Sequence, residues 1–159
     1  MGNLIISKHE YNNDTALGNV VNYVMNENKS FGVSGGQGVL LNNPHTYMEL
    51  VKNYYRQDGK QVQHFWLTFD RDEYITVSDA YSIGYAVCSL FPEYQMVFSL
   101  HQNTEHLHIH WAMNPVSIIT GKKFNFGFKE SFELRRQIGD ILKDYDCCCN
   151  LRMPSESVK

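Results

Sequence analysis

Four of the seven histidines fall in one short stretch, SLHQNTEHLHIHWAMNP, at positions 101, 106, 108 and 110. In an extended strand, alternate side chains point to opposite faces. Read that way, Leu107, Ile109, Trp111 and Met113 form an apolar face, and His106, His108, His110, Ala112 and Asn114 form the other. The preceding segment has the same organisation, with Tyr94, Met96, Phe98 and Leu100 on one side and His101 on the other. If the two strands pair as a hairpin about the polar connection 102–105, His101 joins the histidine row. Imidazoles clustered on one rigid face make an N-donor site that suits a divalent transition ion better than calcium. The blander reading is a polar sheet face lying against a covering helix. Four histidines so close together, three strictly alternating, favour the metal site.

The elements that must hold this face can be read from periodicity. Residues 1–9 read as a strand centred on LII. A helix follows from Asp14 or Thr15 as cap, with Leu17, Val20, Val21 and Val24 recurring at helical period. Residues 30–41, containing SGGQG, read as a short strand and a loop. Pro44 suits the first turn of a second helix, whose apolar stripe is expected to be Tyr47, Leu50, Val51, Tyr54 and Tyr55. Residues 62–69 read as a strand. Ser78 can cap a third helix that ends before Pro92, and a last helix covers 128–143. Strands interspersed with helices and containing one clear hairpin predict an α+β fold with a mainly antiparallel sheet.

Bulk composition bounds the function. A chain of 159 residues, 43% hydrophobic and 19% charged, suits one soluble domain with its own core. There is no apolar run of the ~20 residues that a bilayer requires, and MGNLIISKHE lacks the pattern of a secretory signal. A cytoplasmic location is expected. Cys88 stands alone, and Cys147, Cys148 and Cys149 are consecutive, a spacing unsuited to one tetrahedral site. They read as small buried hydrophobes. The net charge of −3 argues against a protein that coats DNA non-specifically, because such affinity comes from basic residues neutralising phosphates. Local basic patches remain available at Lys52, Arg56 and Lys60, at Lys122, Lys123 and Lys129, and at Arg135 and Arg136.

With these residues in view, the sequence resembles the mobilisation relaxases of the His-hydrophobic-His (HUH) endonuclease superfamily. Their third motif reads approximately H-x-D-x-x-x-x-H-x-H-x-x-x-N, matched by His101, Asn103, His108, His110 and Asn114. The segments YVMNENKSFGVSGGQG, QHFWLTF and ITGKKFNF also resemble the family. The resemblance implies an HUH-like fold with a ferredoxin/RRM-like palm, and a single relaxase nuclease domain over 1–159 forming the N-terminal part of a longer protein. It implies a divalent metal ion, Mn²⁺ or Mg²⁺, held by His101, His108 and His110. A β-bulge would reconcile that set with the simplest hairpin, which puts His101 opposite His106. His106 is then a reserve ligand or DNA contact.

Where the family has Asp, this chain has Asn103, which can hydrogen-bond an imidazole but cannot act as a base. Glu105 lies close enough in sequence to take that part. Tyr23, in VVNYVMN, matches the family's nucleophile pattern V-x-Y-[IVL]-x-N, with Tyr11 second. His64 and Thr68 alternate against Phe65, Leu67 and Phe69, so they are expected on the open face. His64, Asn114, Lys122 and Lys123 are carried over as DNA contacts or supports of the ligands. The implied partners are single-stranded DNA at a transfer origin and accessory relaxosome proteins, without membrane insertion.

The rivals are a rolling-circle replication initiator or single-tyrosine transposase, in most of which the tyrosine follows the histidine motif. From other classes come a small-molecule metal oxygenase or hydrolase and a non-catalytic single-stranded DNA-binding module. An oxygenase would commonly add a carboxylate ligand, and no H-x-H-x-x-x-x-E occurs here.

Overall fold

A computed structural model describes residues 2–26, 30–70, 73–102, 106–147 and 149–150. Ten elements follow in chain order: β1 (Gly2–Ile6), α1 (Ala16–Val24), β2 (Ser30–Gln37), α2 (Pro44–Tyr55), β3 (Gln63–Thr68), α3 (Val77–Cys88), β4 (Met96–His101), β5 (His108–Met113), α4 (Phe128–Lys143) and β6 (Cys149–Asn150). The strands form one sheet in the order β2-β4-β5-β3-β1-β6. Every neighbouring pair is antiparallel except β1 with the two-residue β6. The fold is α+β, as the interspersed elements predicted.

Strand alternation divides the core in two. One sheet face carries Phe65, Leu67, Met96, Phe98, Leu100, Ile109, Trp111 and Met113, buried under Ile83, Val87, Leu134, Ile138 and Leu142 of α3 and α4. Close approach there requires Gly84. A Cβ added to it would run into the buried Phe98 ring, and Trp111 donates its indole N–H to the Gly84 carbonyl at 3.1 Å. The opposite face is covered only in part. Leu17, Val20, Val21 and Val24 of α1 and Met48 of α2 pack on Val62, Val97 and Ala112. The histidines occupy the remainder of that face.

Helix α2 corrects the expected stripe. Pro44 does open the helix, but the buried positions are Pro44, Met48 and Lys52, while Leu50 and Tyr54 are exposed. Lys52 takes the inward place because its amine has partners there: Nζ donates to the Gln61 carbonyl and, at 2.7 Å, to Asn114 Oδ1. Asn114 is itself wholly buried and donates to Gln95 Oε1 at 2.9 Å and to the Met48 carbonyl at 3.3 Å. A satisfied polar network therefore ties α2 to the end of β5, and period counting that treats lysine as solvent-facing misplaces the helix.

Burial lowers the Lys52 pKa to about 7; the charge of Lys123 adds to the shift and that of Glu49 opposes it. A base with a depressed folded pKa binds its proton less tightly when folded. The penalty is fully present below pH 7 and is relieved as pH rises toward 10.5, where the unfolded chain also deprotonates. Stability should therefore rise above pH 7, by at most about 1.4 kcal/mol per pH unit from this group. Urea melts at successive pH values should show that rise in the wild type. In Lys52→Met it should flatten; an unchanged slope would assign it to other groups.

Two smaller differences concern the termini of elements. Helix α3 is capped by Thr76 rather than Ser78, in a reciprocal capping box with Asp79. Strand β1 is shorter than residues 1–9, ending at Ile6. Cys88 and Cys147 are buried, as read from the sequence. Among the described residues no helix is long and apolar enough to cross a membrane.

Candidate active site

The β4–β5 ladder sets the centre of the site. His101 stands opposite His108 and Ser99 opposite His110, in an unbroken register. On the other side of β5, His110 stands opposite Trp66 and His108 opposite Thr68 of β3. No bulge brings His101 to His108; residues 102–107 separate the pair, two more than in the simplest hairpin. His106 consequently precedes β5, is exposed, and sets its Nδ1 3.2 Å from the Phe69 carbonyl. It is not part of a three-histidine row, which corrects the alternation read from sequence.

Helix α1 brings the tyrosine. The last carbonyls of any helix lack intrahelical donors, and the one on Val24 accepts from His101 Nε2 at 2.6 Å. That bond fastens the end of α1 to β4 one residue from Tyr23. The Tyr23 ring then stands edge-on over the cluster, its centroid 5.7 Å from His101, 5.5 Å from His110 and 5.8 Å from His64. It remains 39% exposed, so it is open to a ligand while its ring is held.

A hydrogen-bonded line runs out of the cluster toward β1. His110 Nδ1 lies 3.1 Å from His64 Nε2, His64 Nδ1 lies 3.4 Å from the Tyr11 hydroxyl, and that hydroxyl lies 2.9 Å from Ser7 Oγ. Burial, with the charges of His101 and His9, lowers the His64 pKa to about 4, so this ring is neutral at neutral pH. With the His110 proton on Nδ1, that nitrogen donates, His64 Nε2 accepts and His64 Nδ1 donates to Tyr11. Burial likewise lowers the His108 pKa, with His101 and His106 adding to the effect. Neutral imidazoles are the form that ligates metals.

His101, His108 and His110 are the imidazoles that β4 and β5 bring to one face, the residue type that could supply nitrogen donors to a divalent ion. His101 Nε2 rests on the Val24 carbonyl, and His110 Nδ1 rests on His64 Nε2. Such outer partners are what orient ligating histidines. Among the described residues, however, no three His, Cys, Asp or Glu side chains already converge on a point suited to a metal.

Other carried-over positions fall elsewhere. Asn103 and Glu105 lie outside the described residues. Asn114 is wholly enclosed in the Lys52–Gln95 network, which corrects its expected place as a DNA contact. Lys122 and Lys123 are exposed but lie past the opposite end of β5 from His108, with Lys123 bridged to Val116 and bonded to the Asp58 carbonyl. Lys52 and Arg135 are buried and leave the basic patches; Arg135 donates to the Leu4 carbonyl at 2.8 Å. Conversely, Ser7 and Trp66 adjoin the cluster without having been singled out. For Trp66 the signal was present, because it alternates in step with His64 and Thr68.

This geometry coincides with a family match. A family model described as "Relaxase: MobA/VirD2-like, nuclease domain" matches residues 23–147, from Tyr23 through the histidine strands to α4. The chain belongs to that relaxase nuclease family. It is similar to Protein rlx of Staphylococcus aureus, 27% identical over 107 residues, covering 67% of this chain and 31% of the relative. The chain thus spans less than a third of the length of that relative. No solved structure matches it.

Proposed function

We propose that this domain nicks and rejoins one DNA strand at the transfer origin of a plasmid or conjugative element, with Tyr23 as the nucleophile. What carries this reading is the Tyr23 ring held within 5.8 Å of three histidine rings on the open sheet face. Single-stranded DNA crosses that face with the scissile phosphate beside His101, His108 and His110. Tyr23 Oη attacks phosphorus in line, a phosphotyrosyl bond forms, and the bond from phosphorus to the 3′ oxygen breaks. The 5′ phosphate stays on the enzyme, and the 3′ oxygen leaves as a hydroxyl after taking up a proton. Phosphodiester energy is conserved for rejoining.

A phenol attacks poorly while protonated, so its proton must be removed or its anion stabilised. Glu105, the carboxylate of the 102–105 connection, is proposed to take that proton, since the amide of Asn103 cannot. The proposed ligands are His101, His108 and His110, with Mn²⁺ or Mg²⁺ as the ion. Held by these histidines, a divalent ion would supply Lewis-acid polarisation of the phosphoryl oxygens. His64, 3.1 Å from His110 Nδ1, orients the ring of that proposed ligand. The proposed partners are single-stranded origin DNA and accessory proteins of the same relaxation complex.

Nicking of supercoiled plasmid tests the reading. A plasmid carrying the origin adjoining this gene should be opened with Mn²⁺ present and left intact with EDTA. A plasmid that stays supercoiled in both would contradict it. His64→Phe should weaken Mn²⁺ binding about 10–100-fold in calorimetric titration, the effect expected when an outer partner of a ligating histidine is lost. Undiminished affinity would remove His64 from the site.

A further inference from the structure

We infer that Trp66 is the seat of a nucleobase next to the scissile phosphate, an inference that rests on the single-stranded DNA reading above. Three rings stand nearly parallel across neighbouring strands. His101 and His110 are stacked with centroids 4.3 Å apart and planes 27° apart, and His110 and Trp66 follow at 5.5 Å and 17°. The row steps from β4 to β5 to β3 and ends at Trp66, because the next residue in register is Ile5 of β1. His110 stacks on the indole, His64 meets it tilted at 38° with centroids 4.9 Å apart, and on the β1 side its register partner is Ile5.

That side is open. On this face α1 and α2 pack over Val62, Val97 and Ala112, and α1 extends to His64, His101 and His110 through Tyr23. Trp66 is partly exposed, Ile5 is 39% exposed and Asn3 beside it is exposed. A partly exposed indole next in register to Ile5, at the end of a row of nearly parallel rings, takes a planar π-system by continuing the stack. Every base has such a face, which is why aromatic side chains hold single strands with little regard to sequence. The base belongs to a nucleotide whose phosphate lies within reach of His110, so stacking would fix the strand against sliding past Tyr23.

The experiment uses the full chain carrying Tyr23→Phe, in EDTA, so that neither cleavage nor metal enters the readout. Fluorescein-labelled oligo(dT) and an abasic strand of equal length are the probes. Trp66→Leu, which keeps bulk but loses the ring, should bind oligo(dT) about tenfold more weakly, and Trp66→Phe should recover most of that loss. Both should bind the abasic strand as the parent does. Oligo(dT) should also quench tryptophan emission in the parent but not in Trp66→Phe, whose remaining Trp111 is fully buried. Equal losses on both probes would assign Trp66 to phosphate contact or packing, and so overturn the inference. An unaffected Trp66→Leu, or a parent indifferent to oligo(dT), would overturn it too. Because nicking is scored separately, failure here leaves the Tyr23 chemistry standing, and failure of nicking leaves this stacking measurable.

Discussion

Tyr23→Phe should abolish strand cleavage while leaving the fold and the affinity for single-stranded DNA unchanged. The substitution removes one oxygen and keeps the ring that packs edge-on against His64, His101 and His110. The helix is held by other means, through Leu17, Val20, Val21 and Val24 in the core and through the Val24 carbonyl on His101. Where a covalent nucleophile is lost, rates fall on the order of 10⁴–10⁶-fold. Plasmid nicking, thermal melting and oligonucleotide binding on the same preparation separate chemistry from structure. A Tyr23→Phe enzyme that still nicked would move the nucleophile elsewhere, with Tyr11 next because its hydroxyl already reaches His64.

His110→Ala should be the most damaging change among the histidines. This ring lies at the centre of the cluster, stacked on His101 and Trp66, bonded to His64 and under the edge of Tyr23. Removing it withdraws a proposed ligand and also leaves the buried His64 Nε2 without its partner, at a cost of about 1–3 kcal/mol in stability. Loss of electrostatic stabilisation at a reacting phosphate is worth on the order of 10²–10³-fold in rate. Mn²⁺ titration should show weakened binding together with the loss of nicking. Full metal affinity in a folded His110→Ala protein would defeat the ligand assignment.

How much of this was legible depends on what each signal measures. Alternation measures which side of a strand a residue faces, and it placed Ile109, Trp111 and Met113 in the core and His108 and His110 on the other face. It does not measure where a strand begins, so His106 was counted into a row that starts only at His108. Helical period identified α4 over Phe128–Lys143, where one side is plainly apolar. On α2 the same reasoning turned the buried side too far: Tyr47, Val51 and Tyr55 are half-buried, but Leu50 and Tyr54 are exposed and Lys52, bonded to Gln61 and Asn114, takes an inward place. Alternation put His64, His101 and His110 on one open face, but that Tyr23 would join them was legible only through the family pattern. Nothing local in VVNYVMN says that its tyrosine will meet β4 and β5. The Ser7–Tyr11–His64 line was invisible for the same reason: its contacts depend on the folding of β1 against β3.

The most direct measurement is the site of covalent attachment. Single-stranded DNA spanning the origin, incubated with the protein and Mn²⁺, should yield a species that survives denaturing electrophoresis and is absent with EDTA. Protease digestion and mass spectrometry should place the nucleotide on the phenolic oxygen of Tyr23, as a 5′-phosphodiester. Attachment to another residue, or cleavage that leaves no protein–DNA bond, would contradict the account.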